Sequence, residues 1–440
     1  MERLLILGGG RFQIPLIKKA VNLGYEVIVT DYLDPEEAEG KKIAHKSESV
    51  STLDIDGVIQ VGQKHNIDGI VTCSTDQPVL TAAKVTAQLN LPALISVDTA
   101  IGATNKTVMK RVFHQNHIPT PQNYSVRDIS QCKKYAQKLR YPVVIKPADS
   151  QSQRGVHKID GEKQLDALFH LSRSFSRCKE VLVEKFYESA EISFQVWVVD
   201  YTPYILIMTD RMTVSAGTQI GICIEHVFPS RYMHTYYEEA RIIIRKIVNA
   251  FKIENGPLYV QMLVGKQGIK VCEFGCRIGG GNEYYTVKAV TGIDMYELLI
   301  NQSLKKEIDM ERLEKCTISE NPNYAIMKWV VGDAGDVAKV IHMPKAQAGV
   351  AASGIFAKRG MTVEPLSGTQ KLGMVLCVGK TEHEVRTNMY NAYKAIKILD
   401  KNNQNLITFL NEDQYQSLKI NNFKPKHIIY TNNDDSAFFV

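Results

Sequence analysis

Residues 254–285 read ENGPLYVQMLVGKQGIKVCEFGCRIGGGNEYY, and the rest of the chain is best understood from this stretch. Asn255-Gly256-Pro257 is a turn signal, and Leu258–Val264 is a β-rich run with alternating faces. Gly265–Gly268 turns the chain, and Ile269–Phe274 returns as a second strand. Gln261 lies in the middle of the first strand and Glu273 near the end of the second. Arg277 and three consecutive glycines, Gly279 to Gly281, follow at once. An amide oxygen and a carboxylate on paired strands can converge on a hard divalent cation, which takes oxygen ligands and keeps several waters. An arginine just beyond, in a glycine-rich turn, suits an anion held beside that cation. An ordinary hairpin with a polar tip is the simpler alternative, because Gln and Glu are common on strands.

At 440 residues the chain has room for about two to four domains with substantial cores. Its composition, 44% hydrophobic, 23% charged and 8% aromatic, is that of a soluble globular protein. A net charge of +6 over this length is mild and forms no basic stripe. Nucleic acid is therefore not expected as a partner, whereas anionic substrates are. The longest apolar runs fall short of the roughly 20 residues that cross a bilayer, so no membrane partner is expected. The opening MERLLILGGG reads as a first strand rather than a signal peptide. Eight cysteines are scattered without a CxxC, and the eleven histidines form no HExxH pair. This pattern predicts a reducing, cytoplasmic location and no zinc site.

Leu4–Leu7, Tyr25–Asp31 and Gly69–Cys73 read as strands, and Pro15–Leu23 and Val58–His65 as helices. Such alternation implies parallel strands joined by right-handed crossovers. Gly8 to Gly10, with Asp31 about twenty residues on, invites a dinucleotide-binding reading. Gln13 stands where that fingerprint needs its third glycine, so the reading is set aside. A helix from about Asn105 to Asn116 has Thr104 or Asn105 as its N-cap. Lys106 lies in its first turn, where a cation opposes the helix dipole unless it meets an anion.

Residues 125–190 read as a small module. Ile129, Cys132, Ala136 and Leu139 recur at helical spacing, and Tyr141–Pro147 is a strand carrying Lys146. The polar loop Ala148–Arg154 and Gly155 come next, then a helix from about Lys163 to Arg173. The strand Val181–Lys185 carries Glu184 and leads to Phe186 and Glu191. A lysine ending a strand before a Ser/Gln/Gly loop can hold phosphates with its ammonium and several backbone N–H groups. No GxxxxGK[ST] loop is present. Downstream, Ile192–Val199 and Tyr204–Thr209 read as strands, Thr213–Ile222 as a small-residue loop and Glu238–Phe251 as an amphipathic helix. Met295–Asn301 is expected to be helical, Ala325–Val330 and Met374–Val378 to be strands, and a helix is expected near Glu382–Ile398.

In order along the chain, NKTVMKR (105–111), VVIKP (143–147), VLVEKFYESAEIS (181–193), GPLYVQ (256–261) and CEFGCRIGGG (272–281) resemble the ATP-grasp superfamily. The likeness is to its carboxylate–amine ligases, among them the L-amino-acid ligase, carbamoyl-phosphate-synthetase-like and purine-carboxylase-like branches. The resemblance implies an α/β ATP-grasp fold, α+β in its lid and core, with an N-terminal Rossmann-like domain. It places a pre-grasp domain at 1–104, a linker helix and lid at 105–190, a metal-bearing core at 191–310 and a cap at 311–412. The tail 413–440 has no assignment.

Carried over by position, Lys106 and Lys146 resemble the lysines that hold ATP phosphates. Ser150–Gly155, with Ser152, Gln153 and Gly155, resembles the loop that closes over them. Glu184, Lys185 and Phe186 resemble the hinge at adenine, and Glu191 the ribose-binding carboxylate. Gln261 and Glu273 resemble the metal ligands, and Arg277 the arginine that steadies the phosphorylated intermediate. His226 faces the substrate in this reading. The implied cofactors are ATP and magnesium or manganese, and the implied partners a small carboxylate and a small amine. A homodimer is left open. Two departures stand out: Gly275 replaces the asparagine of the usual Glu-x-Asn-x-Arg, and the phosphate loop is poor in glycine. The expected activity is ATP-dependent amide or peptide-bond formation through an acyl phosphate. The alternatives are a carboxylase using bicarbonate, a non-catalytic nucleotide-binding protein, and an NAD-dependent oxidoreductase.

Overall fold

A computed structural model describes residues 1–316, 323–342, 347–364, 366 and 370–407. The expected tail 413–440 and the last residues of the expected cap lie outside them. The chain opens with β1 (Arg3–Leu7), α1 (Ile14–Asn22), β2 (Glu26–Thr30), β3 (Lys46–Glu48), α2 (Ile55–His65), β4 (Gly69–Val71), α3 (Gln77–Leu89) and α4 (Val97–Thr104). Its four strands form a parallel sheet in the order β3-β2-β1-β4; β1, β2 and β4 are largely apolar because helices cover them, and β3 (Lys-Ser-Glu) is the polar edge. Asp31 accepts from the N–H groups of Gly9 and Leu33 at 2.9 and 3.0 Å. Gln13 is buried and donates to the Cys73 carbonyl. The aspartate that a dinucleotide's ribose would need thus closes the glycine turn instead.

Next come α5 (Lys106–Gln115), β5 (Asn123–Val126), α6 (Ile129–Leu139), β6 (Val143–Pro147), β7 (His157–Ile159), α7 (Leu165–Ser174) and β8 (Val181–Lys185). The strands of this lid run antiparallel in the order β7-β6-β8-β5. α6 and α7 close over them through Cys132, Ala136, Leu139, Leu165 and Phe169. The core is built from β9 (Ser189–Val199), β10 (Thr202–Ala216), β11 (Gln219–Phe228), α8 (Met233–Phe251), β12 (Gly256–Gly265), β13 (Gly268–Gly275), α9 (Glu283–Thr291), α10 (Met295–Ser303) and α11 (Met310–Glu314). Its strands pair antiparallel in the order β13-β12-β9-β10-β11, and α8 packs its Ile243, Ile244 and Ile247 beneath them.

The remainder contains β14 (Tyr324–Val330), β15 (Gly335–Asp336), β16 (Lys339–His342), β17 (Val350–Ile355), β18 (Thr362–Val363), β19 (Gly373–Gly379), α12 (Glu382–Lys394) and β20 (Ile396–Leu399). β14 pairs with β11, which joins this cap to the core sheet. The lid joins the same sheet through one residue pair, Gln219 of β11 with His157 of β7.

Three expectations need correction. Thr213–Ile222 is not a loop: Val214 pairs with Ile222 and Ala216 with Gln219, so it is the tip of the β10–β11 hairpin. Its valine, threonine and isoleucines favour strand, and the turn falls to Gly217 at φ +58°. The helix near Glu382–Ile398 stops at Lys394, and Ile396–Leu399 returns as a strand beside β16. α8 begins at Met233 rather than Glu238, and α3, α4, α9 and α11 are helices the sequence reading did not name.

Candidate active site

One cleft of about 750 Å³ runs between the lid, the core and the N-terminal sheet domain. Lys106, Lys146, Ser152, Gln153, Glu184, Lys185, Phe186, Glu191, His226, Gln261, Glu273 and Arg277 all line it. Gly155 does not; at φ +73° it packs against Pro147 and Phe175 and anchors the loop's end.

The hairpin supplies the centre. Gln261 of β12 pairs directly with Glu273 of β13, which puts both side chains on one face. Lys106 comes from the first position of α5, where Asn105 caps the helix by accepting from the Val108 N–H at 3.1 Å. Its ammonium lies 3.5 Å from the Glu273 carboxylate and donates to the Ser150 carbonyl at 2.7 Å. Burial works to raise the Glu273 pKa, but Lys106, Lys146 and Arg277 together bring it down to about 2. The group is therefore an anion at neutral pH, ready to face a cation.

Behind Glu273 sits a buried triad. Glu184 of β8 accepts from Lys146 of β6 at 3.0 Å and pairs with Lys110 of α5 at 2.9 Å. Lys110 is one helical turn beyond Lys106 and also donates to Thr120 Oγ1. Burial opposes the charge on Lys146, yet Glu184 outweighs it and the pKa is raised. At Lys110 burial wins over the same carboxylate and the pKa is lowered. The Glu184 carboxylate thus holds the lysines in place. The hinge N–H groups of Lys185 and Phe186 donate to the carbonyls of Gln122 and Pro142, and the Lys185 ammonium donates to the Arg140 carbonyl.

Glu191 of β9 forms an ion pair with Arg211 of β10 and accepts from the Gln261 amide at 2.8 Å. Both bonds go to its Oε2. Arg277 donates from Nε to Asp76 at 2.7 Å and lies over the Tyr259 ring. Its Nη1 is buried without a partner, an aimed donor that a bound anion would satisfy. A Cβ added at Gly275 would come within 2.9 Å of Asp76 Oδ1. At Gly275, Asp76 from the start of α3 occupies the space beside the backbone and orients Arg277. His226 of β11 lies 3.2 Å from Cys223 Sγ and 3.6 Å from Glu283, and its Nδ1 is a second buried atom without a partner.

Arg211, Asp76, Cys223, Glu283 and Lys371 complete the walls, and neither they nor Lys110 behind them were expected from the sequence. For Lys110 a signal existed, since i and i+4 share a helix face. Arg211 and Asp76 reach the site only through strand pairing and domain packing.

The donor set suits the implied cofactors. One carboxylate and one amide oxygen leave most positions of a magnesium ion to phosphate and water. Among the described residues no cluster of three or more His, Cys, Asp or Glu could hold a metal ion.

Comparison with known proteins agrees with this architecture. Residues 104–282 match the family described as phosphoribosylglycinamide synthetase, ATP-grasp (A) domain. The L-amino acid ligase of Bacillus licheniformis superposes with a TM-score of 0.77 at 20% identity, covering 91% of this chain and 99% of that one. Phosphoribosylglycinamide synthetase from Anaerococcus prevotii gives 0.72 at 19% identity, covering 91% and 100%. Multifunctional protein URA2 of Saccharomyces cerevisiae is 22% identical over 279 residues, 63% of this chain. The chain spans only 12% of that relative's length. Residues 104–282 thus match an ATP-grasp domain, and the chain shares its fold with these solved structures over most of its length.

Proposed function

We propose that the chain is an ATP-dependent carboxylate–amine ligase, joining a small carboxylate to a small amine and releasing ADP and phosphate. The observation that carries this reading is the meeting of Lys106 and Glu273, 3.5 Å apart, opposite Gln261 and beside an Arg277 whose Nη1 has no partner. In this reading Lys106 and Lys146 hold the phosphates, and Gln261 and Glu273 hold magnesium. Magnesium offsets the repulsion between a carboxylate substrate and the phosphates it approaches. Arg277 takes an anionic oxygen on its free Nη1; a unit pair at about 4 Å and an effective dielectric near 20 is worth about 4 kcal/mol. The substrate carboxylate attacks the γ-phosphorus as ADP leaves. The amine then attacks the acyl carbon as phosphate leaves. Glu191 keeps its Oε1 for a ribose hydroxyl, and Ser150–Gly155 excludes water from the acyl phosphate. No side-chain nucleophile takes part.

The likeness to a protein named as an amino acid ligase makes amino acids the first substrates to try. The test is ADP release across a panel of carboxylates with and without amines, with bicarbonate included. ADP release that requires both an acid and an amine is the expected result. Arg277→Ala and Glu273→Gln should each lower turnover by about a hundredfold or more while the circular dichroism spectrum is unchanged. Wild-type rates in either variant overturn the assignment. Turnover driven by bicarbonate makes the protein a carboxylase, and ATP binding without turnover makes it a nucleotide-binding member.

A further inference from the structure

The ligase reading gives Cys223 no task, yet its surroundings are specialised. Cys223 and His226 are three apart on β11, a spacing that puts side chains on opposite faces of a regular strand. Here Met212 pairs with Glu225 while Thr213 pairs with Cys223, so a β-bulge places Ile224 as an extra residue. The bulge turns Cys223 onto the same face as His226, with Sγ 3.2 Å from Nε2, and both line the cleft. Bulges next to functional sites commonly re-aim a side chain in this way.

We propose that Cys223 and His226 form a thiolate–imidazolium pair that makes this cleft a site of covalent modification by small disulfides. Three charged groups and one phenol surround the pair. Arg211 faces Cys223 from β10 and Lys371 from the cap, where its ammonium donates to the Cys223 carbonyl at 2.9 Å. Glu283 faces His226 from α9 at 3.6 Å and favours the imidazolium, and Tyr259 of β12 is the remaining titratable neighbour. His226 is 3% exposed, and its Nδ1 is buried without a hydrogen-bond partner. Burial pushes the Cys223 thiol toward its neutral form, but His226, Arg211 and Lys371 together take its pKa below the ordinary thiol value. His226 is raised by Cys223 and Glu283 against its own burial. Cys272 lines the same cleft, yet burial pushes it up to about 11. Cys73, Cys132, Cys276 and Cys377 are all pushed up to about 12.

The step balances with a disulfide as oxidant. The Cys223 sulfur attacks one sulfur of the disulfide, the new S–S bond forms as the old one breaks, and the departing thiolate takes up a proton from solvent. Excess thiol reverses it. The adduct stands beside His226 and the Gly279–Gly281 turn, where even a Cβ at Gly281 would lie 2.7 Å from His226 Nε2, and so obstructs that end of the cleft.

Site-resolved mass spectrometry of the folded, full-length chain tests this, with iodoacetamide and oxidised glutathione as the probes. Cys223 should react at least about tenfold faster than Cys272, with exposed Cys178 as a reference in the same molecule. The midpoint of its pH–rate profile should fall below the roughly 8.5 of an ordinary thiol. His226→Gln should slow labelling at neutral pH by about tenfold and move that midpoint upward. A wild-type midpoint at or above the ordinary value overturns the proposal, as does a Cys223 that stays unlabelled while Cys272 reacts. Because the readout needs no turnover, its failure is distinguishable from failure of the ligase reading.

Discussion

At the scale of single residues, the site depends on buried charges that are held in place by other buried charges. Glu184 is 4% exposed and faces two ammonium groups, so removing its charge leaves two cations buried without their counterion. Glu184→Gln should therefore lower the unfolding free energy by about 3–5 kcal/mol, read from urea denaturation. A loss below about 1 kcal/mol would show that the lysines neutralise themselves by other means. Lys371 behaves oppositely, since burial depresses its pKa to about 8. An unfolded lysine titrates near 10.4, so between about pH 8 and 10.4 the unfolded chain binds more protons and stability rises with pH. Lys371→Met removes that penalty. Its stabilising effect should be full below pH 8 and fade toward pH 10.4 in paired melting curves. The Gly275 departure belongs to this scale too. The sequence shows only that residue 275 has no side chain, whereas the structure shows Asp76 in the space and bound to Arg277.

At the scale of elements, two features aim the side chains. The cap of α5 sets the direction of Lys106: Asn105→Ala loses the bond to Val108 and should cost about 1 kcal/mol in denaturation. It should also weaken MgATP binding in a calorimetric titration, since Lys106 is the next residue. Unchanged affinity would separate the cap from the phosphate site. The second feature is the pair of bulges. One follows Gln261 on the β12–β13 hairpin and makes Cys272 the extra residue, so Cys272 and Glu273 both line the cleft. The other lies at Ile224. Strand and helix periodicity showed the hairpin, the capped helix and most strands of the N-terminal sheet. Bulges break that periodicity, so Cys223 was not legible as a partner of His226.

At the scale of the molecule, the lid is held to the core by few bonds. His157 pairs with Gln219, Lys158 donates to the Thr218 carbonyl at 2.9 Å, and Gln153 donates to the Gly221 carbonyl. Segments with few such bonds open at low free-energy cost. MgATP should therefore slow amide hydrogen exchange in 150–155 and 217–221 while leaving the β9–β12 ladder unchanged. Equal protection with and without nucleotide would argue against closure.

The sequence by itself determined the parallel N-terminal sheet, the capped helix carrying Lys106, and the Gln261–Glu273 hairpin with its arginine. Each of these is local, written in apolar period, cap residues and turn residues. Only the tertiary structure decided that Asp76 fills the space above Gly275, that Lys110 and Lys146 share Glu184, and that Cys223 meets His226. These contacts join residues from separate elements or across a bulge, where the repeat of the backbone no longer predicts which way a side chain points.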